Sequence, residues 1–135
     1  MTRLGQLAAL GAATLFVAHA TAQAADASCK NPKTQLELSA CAGKDAQAAD
    51  AELNHVYGQL IAKYDEPNRN ALVLAERAWV VYRDAECSYE TALSIGGTIH
   101  PMMVALCMTA KAKARTKDLN DQLNCKEGDL DCNKP

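Results

Sequence analysis

No Cys-x-x-Cys pair occurs in the 135 residues, which removes a thioredoxin-like redox pair and a c-type haem site from consideration. No basic stripe is present, as nucleic-acid binding would require. The charges are mixed along the chain and form no long block of one sign. Internal repeats and low-complexity stretches are also missing. No segment alternates apolar and polar residues for long enough to call for a sheet. No serine lies in a Gly-x-Ser-x-Gly elbow, and there is a single tryptophan, Trp79.

What is present begins with a segment that does not read as part of a fold. Arg3 gives a positive start, an apolar run of 12 residues follows at 7–18, and Ala22-Gln23-Ala24 supplies a small-x-small cleavage pattern. This is the anatomy of a secretory leader. The apolar run is too short to span a bilayer, which takes about 20 residues. Asp26, three residues before Cys29, breaks the aliphatic stretch a lipid-anchor signal needs. The expectation is therefore a cleaved leader at 1–24, a helical domain at 25–124 and a short polar tail at 125–135. The mature protein would be periplasmic or secreted, with no stable membrane anchor. Loss of the leader removes Arg3 and leaves 13 basic against 16 acidic residues, a net charge of −3.

All six cysteines, Cys29, Cys41, Cys87, Cys107, Cys125 and Cys132, lie in the mature part. An even number in an exported chain reads as a disulfide framework. Zinc would need clustered ligands, and the mature histidines, His55 and His100, are far from paired cysteines. No metal or other cofactor is expected.

Three helices can be read from periodicity. The first covers about 34–64, with Leu53, Val56, Tyr57, Leu60, Ile61 and Tyr64 on one face. Gly43 marks a place for a bend or break, at a cost of about 1 kcal/mol relative to Ala. Asp65-Glu66-Pro67 ends this helix and starts the next, since Pro suits a first turn. The second helix is expected over about 67–95, with Leu72, Ala75, Trp79, Tyr82 and Leu93 facing inward. Gly96-Gly97-Thr98-Ile99-His100-Pro101 breaks the chain. The third helix is expected over about 101–123, with Met102, Ala105, Leu106, Thr109, Ala112, Thr116, Leu119 and Leu123 on its apolar stripe.

Short connections favour antiparallel neighbours, so the expected fold is all-α, a small antiparallel three-helix bundle stapled by disulfides. At about 1.5 Å per residue, Cys87 and Cys107 stand within about 3 Å of the same height above the Gly-Gly turn. That suits a bridge, whose Cα atoms lie within about 7 Å. Cys29 with Cys41 would tie the N-terminal arm to the first helix, and Cys125 with Cys132 would close a loop in the tail. Cys41 lies at the same end of the bundle as Cys87 and Cys107, so other connectivities remain open.

Several residue groups are candidates for chemistry. Glu86 and Glu90, one turn apart, read as a solvated pair before they read as a glycosidase dyad. Lys111, Lys113, Arg115 and Lys117 fan around a helix and read as a solvated face. Asp129-Leu130-Asp131-Cys132-Asn133 imitates an EF-hand opening without the central Gly or the closing Glu. Trp79 reads as core. Asp50, Asn54, Arg83 and Asp84 form a polar cluster that either joins helices or recognises a partner.

Ala49-Asp50-x-x-Leu53-Asn54-x-x-Tyr57, then Ala75-x-x-Ala78-Trp79-x-x-Tyr82-Arg83-Asp84-Ala85-Glu86-Cys87, then Cys107 and Arg115-x-x-x-Leu119 resemble the signature of the lysozyme inhibitor LprI N-terminal domain family, formerly a domain of unknown function. Cys29 and Cys41 fit the same pattern, whereas Cys125 and Cys132 lie beyond it. Glu76 and Ala112 depart from it, standing where Gln and Thr are common. The resemblance implies an exported helical binding protein, not an enzyme, that blocks a lysozyme-type muramidase. It carries over no catalytic residue. The alternative is a cell-envelope structural or protein-interaction module without a lysozyme target. For an inhibitor, the turn with Gly96, Gly97, Thr98 and His100 is the candidate target-binding loop. It protrudes and would be preorganised by a Cys87–Cys107 bridge; otherwise it is a plain connector. Oligomeric state is left open by the sequence.

Overall fold

The computed structural model of the chain describes residues 29–126, 128–130 and 132. The leader expected at 1–24 lies outside the described residues. Helix α1 (Gln35–Lys63), α2 (Asn68–Glu90) and α3 (His100–Leu123) account for most of these residues, with one 3-10 turn at Ala92–Ser94 between α2 and α3. The fold is all-α, a three-helix arrangement stapled by disulfides.

Each helix begins and ends for a local reason. Thr34 caps α1: its hydroxyl accepts from the Glu37 amide at 3.2 Å. The Glu37 carboxylate accepts in return from the amides of Lys33 at 2.6 Å and Thr34 at 3.0 Å, a reciprocal capping box. These two backbone donors, Lys33 first, hold the Glu37 carboxyl below the ordinary carboxylate range. Their contribution is present at neutral pH and is lost as pH falls through the lowered pKa. Thr34→Ala is expected to cost about 1 kcal/mol, read as a lower urea midpoint with an unchanged m value. Helix α1 then runs unbroken through Gly43, where the surroundings are open. Beyond Lys63 the Arg69 guanidinium donates to the Tyr64 carbonyl at 2.8 Å across the turn.

Leu53, Val56 and Leu60 of α1 are buried with Ala49 and Tyr64, against Ala112 and Leu119 of α3 and Leu72 of α2. The tightest pairing is α1 on α3. Alanines at 49 and 112 leave no side-chain bulk between these helices, so they approach closely along the seam. They run parallel, because Gln35 meets Met102 at one end while the Lys63 ammonium donates to the Leu123 carbonyl at the other. Helix α2 descends between them in sequence; its backbone comes nearer to α3 than to α1, which it meets through side chains.

Three disulfides fix this arrangement. Cys29–Cys41 anchors the N-terminal arm to α1, Cys87–Cys107 joins α2 to α3, and Cys125–Cys132 closes the tail, with Cα separations of 5.5, 5.6 and 5.8 Å. Cys87 is fully buried.

Several expectations need correcting, among them Leu106 of the α3 stripe, which is 47% exposed. Helix α2 stops at Glu90 and does not continue to residue 95. Thr91 is buried, and both its amide and its hydroxyl donate to the Cys87 carbonyl. The 3-10 turn that follows changes the phase of the chain, so Leu93 points fully outward. Ala75 and Tyr82, also expected inside, turn toward α3 but stay exposed: Ala75 lines an open cleft beside Leu119 and Arg115, and the Tyr82 ring lies under the Lys111 ammonium at 5.8 Å. Among the described residues, only Leu72 and Cys87 of this helix are buried.

Candidate functional site

Two regions draw together the residues singled out by sequence. The first is the seam between α1 and α2. Arg83 donates to Asp50 across the seam at 3.3 Å and to Asp84 at 2.9 Å through Nε. Its guanidinium also lies 5.3 Å from the centre of the Trp79 ring, and that of Arg115 lies 6.0 Å from it. Arg115 in turn pairs with Glu76 at 2.9 Å. A chain of contacts therefore runs from α1 through α2 to α3: Asp50, Arg83, Trp79, Arg115, Glu76. Asn54 lines the same cleft, of about 330 Å³, but stands apart from the ion pairs.

The Trp79 ring has two guanidinium groups within cation–π range, so little of its surface is free to stack on a ligand. Helix α2 makes few apolar contacts with α1, and this chain of polar contacts fixes its register instead. The basic cluster of α3 is thus only partly a solvated face. Arg115 is clamped to Glu76, and Lys111 reaches Glu90 at 2.9 Å and Glu86 at 3.9 Å. The Glu90 hydrogen bond holds the Lys111 ammonium above its ordinary range, against some desolvation. This contribution is complete below the ordinary lysine pKa and is lost as pH rises through the raised value.

The second region is the hairpin tip between α2 and α3. Gly96 takes φ +81°, a left-handed conformation that glycine adopts without steric cost. At Gly97 an added Cβ would meet the Ser94 carbonyl oxygen at 3.1 Å. The Gly97 amide donates to that carbonyl, and the His100 amide donates to the Gly97 carbonyl. Ser94 Oγ donates to the Thr91 carbonyl at 2.7 Å and lies 2.8 Å from His100 Nδ1. The serine proton is committed to the carbonyl, so the imidazole Nδ1–H donates to the hydroxyl oxygen. A catalytic serine would donate to its histidine; this pair is a clamp on the loop.

The tip is therefore braced by Gly96, Gly97 and the Ser94–His100 contact, with the Cys87–Cys107 bridge below. Thr98 is exposed on it. The side chains it presents most prominently are apolar. Leu93 is fully exposed, Ile95 is 68% exposed, and Ile99 and Met103 are partly so. Leu93, Ile99 and Met103 border a shallow groove of about 410 Å³ with Glu90, Thr91 and Ser94. The glycines, Thr98 and His100 mark this loop in the sequence, whereas Leu93, Ile95 and Ile99, its exposed apolar side chains, were not singled out. The available signal was three branched apolar side chains around a Gly-Gly break, where polar residues are usual.

Among the described residues, no group of three His, Cys, Asp or Glu is placed to hold a metal ion. No helix there is long and apolar enough to cross a membrane.

Comparison with known proteins adds three findings. A family model for lysozyme inhibitor LprI matches residues 25–119. An uncharacterized protein of Rhizobium meliloti is 32% identical over 123 residues, covering 82% of this chain and 88% of that one. The crystal structure of a DUF1311 family protein from Pseudomonas putida superposes with a TM-score of 0.63 at 24% identity, covering 67% of this chain and 94% of the other. This last likeness concerns the fold.

Proposed function

The chain belongs to the lysozyme inhibitor LprI family, and from that premise we propose that it is an exported, disulfide-bonded protein that binds and blocks a lysozyme-type muramidase through its α2–α3 hairpin tip. Six cysteines paired in three disulfides support an oxidising compartment, the periplasm or the exterior. The leader pattern at 1–24 supports the same destination.

The observation that carries the choice of surface is the combination of exposure and bracing at the tip. Apolar side chains held by a rigid backbone lose little conformational freedom on docking, so more of their burial appears as affinity. Leu93 and Ile95 are the anchors, and Ile99 and Met103 flank them. Thr98 and His100 supply polar groups at the rim. Arg83 and Asp50 are engaged with each other and hold α2 in place, and Asp84 steadies the Arg83 guanidinium from within α2. The net charge of −3 after leader removal weakly favours encounter with basic lysozymes.

The test is a titration of the purified mature protein into bacterial-wall lysis assays with several lysozyme types. The expected outcome is saturable inhibition of at least one type at a near-stoichiometric ratio. Undiminished lysis by every type at large excess sinks the reading and favours an envelope interaction module. Wall hydrolysis by the protein alone would point to an enzyme instead.

A further inference from the structure

Helix α2 has two faces. One, carrying Leu72, Glu76, Trp79, Arg83 and Cys87, turns toward the rest of the molecule. The opposite face carries Leu74, Ala78, Val81 and Ala85, all exposed, at spacings of four, three and four residues. Leu74 is 65% and Val81 71% exposed. This is the repeat of a helix–helix seam. The position flanking this stripe recurs as Arg77 and Asp84, seven residues apart and opposite in sign. Among the described residues, Arg77 has no ion-pair partner within its own chain.

We propose that this face is where a second copy of the chain docks, with the two α2 helices antiparallel about a twofold axis crossing between residues 79 and 80. Self-complementarity selects that arrangement. Leu74 then opposes Ala85 of the second copy, and Ala78 opposes Val81, so every layer sets a large side chain against a small one. Arg77 faces Asp84 of the second copy, whose Oδ1 holds Arg83 of its own chain and whose Oδ2 takes the new pair, and the twofold axis repeats this. A parallel pairing loses all of this: Leu74 meets Leu74, Ala78 leaves a gap against Ala78, and Arg77 stands beside Tyr82.

A helix of 23 residues is about 35 Å long. One helix-on-helix contact of that length lies at the small end of specific interfaces, so the dimer dissociates on dilution. Antiparallel pairing sends the two hairpin tips to opposite ends, which leaves both open. That consequence rests on the inhibitor reading above, but the dimer does not.

Sedimentation velocity of the oxidised protein, without lysozyme, tests the proposal. Wild type is expected to pass from monomer to dimer as concentration rises from low to high micromolar. R77D alone and D84R alone each place like charges face to face and weaken self-association by roughly tenfold or more. An equimolar mixture of the two single variants restores the dimer, because each supplies the charge the other lacks. V81E, at an exposed position, also weakens it. If circular dichroism shows D84R to be misfolded, R77D and V81E decide the matter. A wild-type monomer at every concentration overturns the proposal, as does a dimer insensitive to R77D and V81E. Failure of two folded charge variants to recover association on mixing overturns it as well.

Discussion

Replacing Leu93 and Ile95 together by Asp is expected to weaken lysozyme inhibition by about a hundredfold or more, a loss typical of truncating or charging the anchors of an interface. The fold should hardly notice. Leu93 is fully exposed and Ile95 largely so, and the tip's hydrogen bonds come from its backbone and from Ser94 and His100. Surface substitutions of this kind usually shift stability by no more than about 0.5 kcal/mol. Two carboxylates in place of two apolar anchors would have to be desolvated against a cleft that already contains carboxylates. Lysis assays and thermal melts on the same preparations separate the two effects. Lost inhibition with an unchanged melting temperature supports the tip as the contact surface, and unchanged inhibition moves that surface elsewhere.

Removing the bridge under the tip should act on both quantities. The double substitution Cys87→Ala with Cys107→Ala releases a link that spans 20 residues. Loss of such a link costs about 3 kcal/mol, or a fall of about 12 °C or more in Tm for a domain near 100 residues. Cys87 is fully buried and α2 has few other apolar anchors, so the hairpin loses a main attachment. Inhibition should weaken even where the variant remains folded, because the loop must then be ordered on binding. Opening the Cys125–Cys132 link, which spans 7 residues, should lower Tm less and leave inhibition intact.

The parts of this molecule that could be read from sequence are those where one periodicity dominates. On α1, Leu53, Val56 and Leu60 repeat on a single face, and that face is the core. Helix α2 was harder because two of its faces carry apolar side chains at helical spacing. Periodicity gives the side of a helix and not how closely a neighbour packs on it, so Ala75 and Tyr82 turn toward α3 as read but remain exposed there. Leu93 was misplaced for a different reason: Thr91 turns its hydroxyl back on the Cys87 carbonyl and shifts the phase beyond it. The clustering of Asp50, Arg83 and Asp84 was visible from their positions on facing helices. The pairings Glu76–Arg115 and Glu90–Lys111 were not, because a basic run on a helix looks solvated in isolation. The Gly96-Gly97 break located the tip, and the side chains that surround the break give it its character.

Amide hydrogen exchange of the oxidised protein, with and without saturating amounts of the lysozyme it inhibits best, bears most directly on where the partner is gripped. Slowed exchange concentrated at the tip, from Leu93 to Met103, is the expected result. Slowed exchange along the seam at Asp50, Trp79 and Arg83, with the tip unchanged, would contradict it.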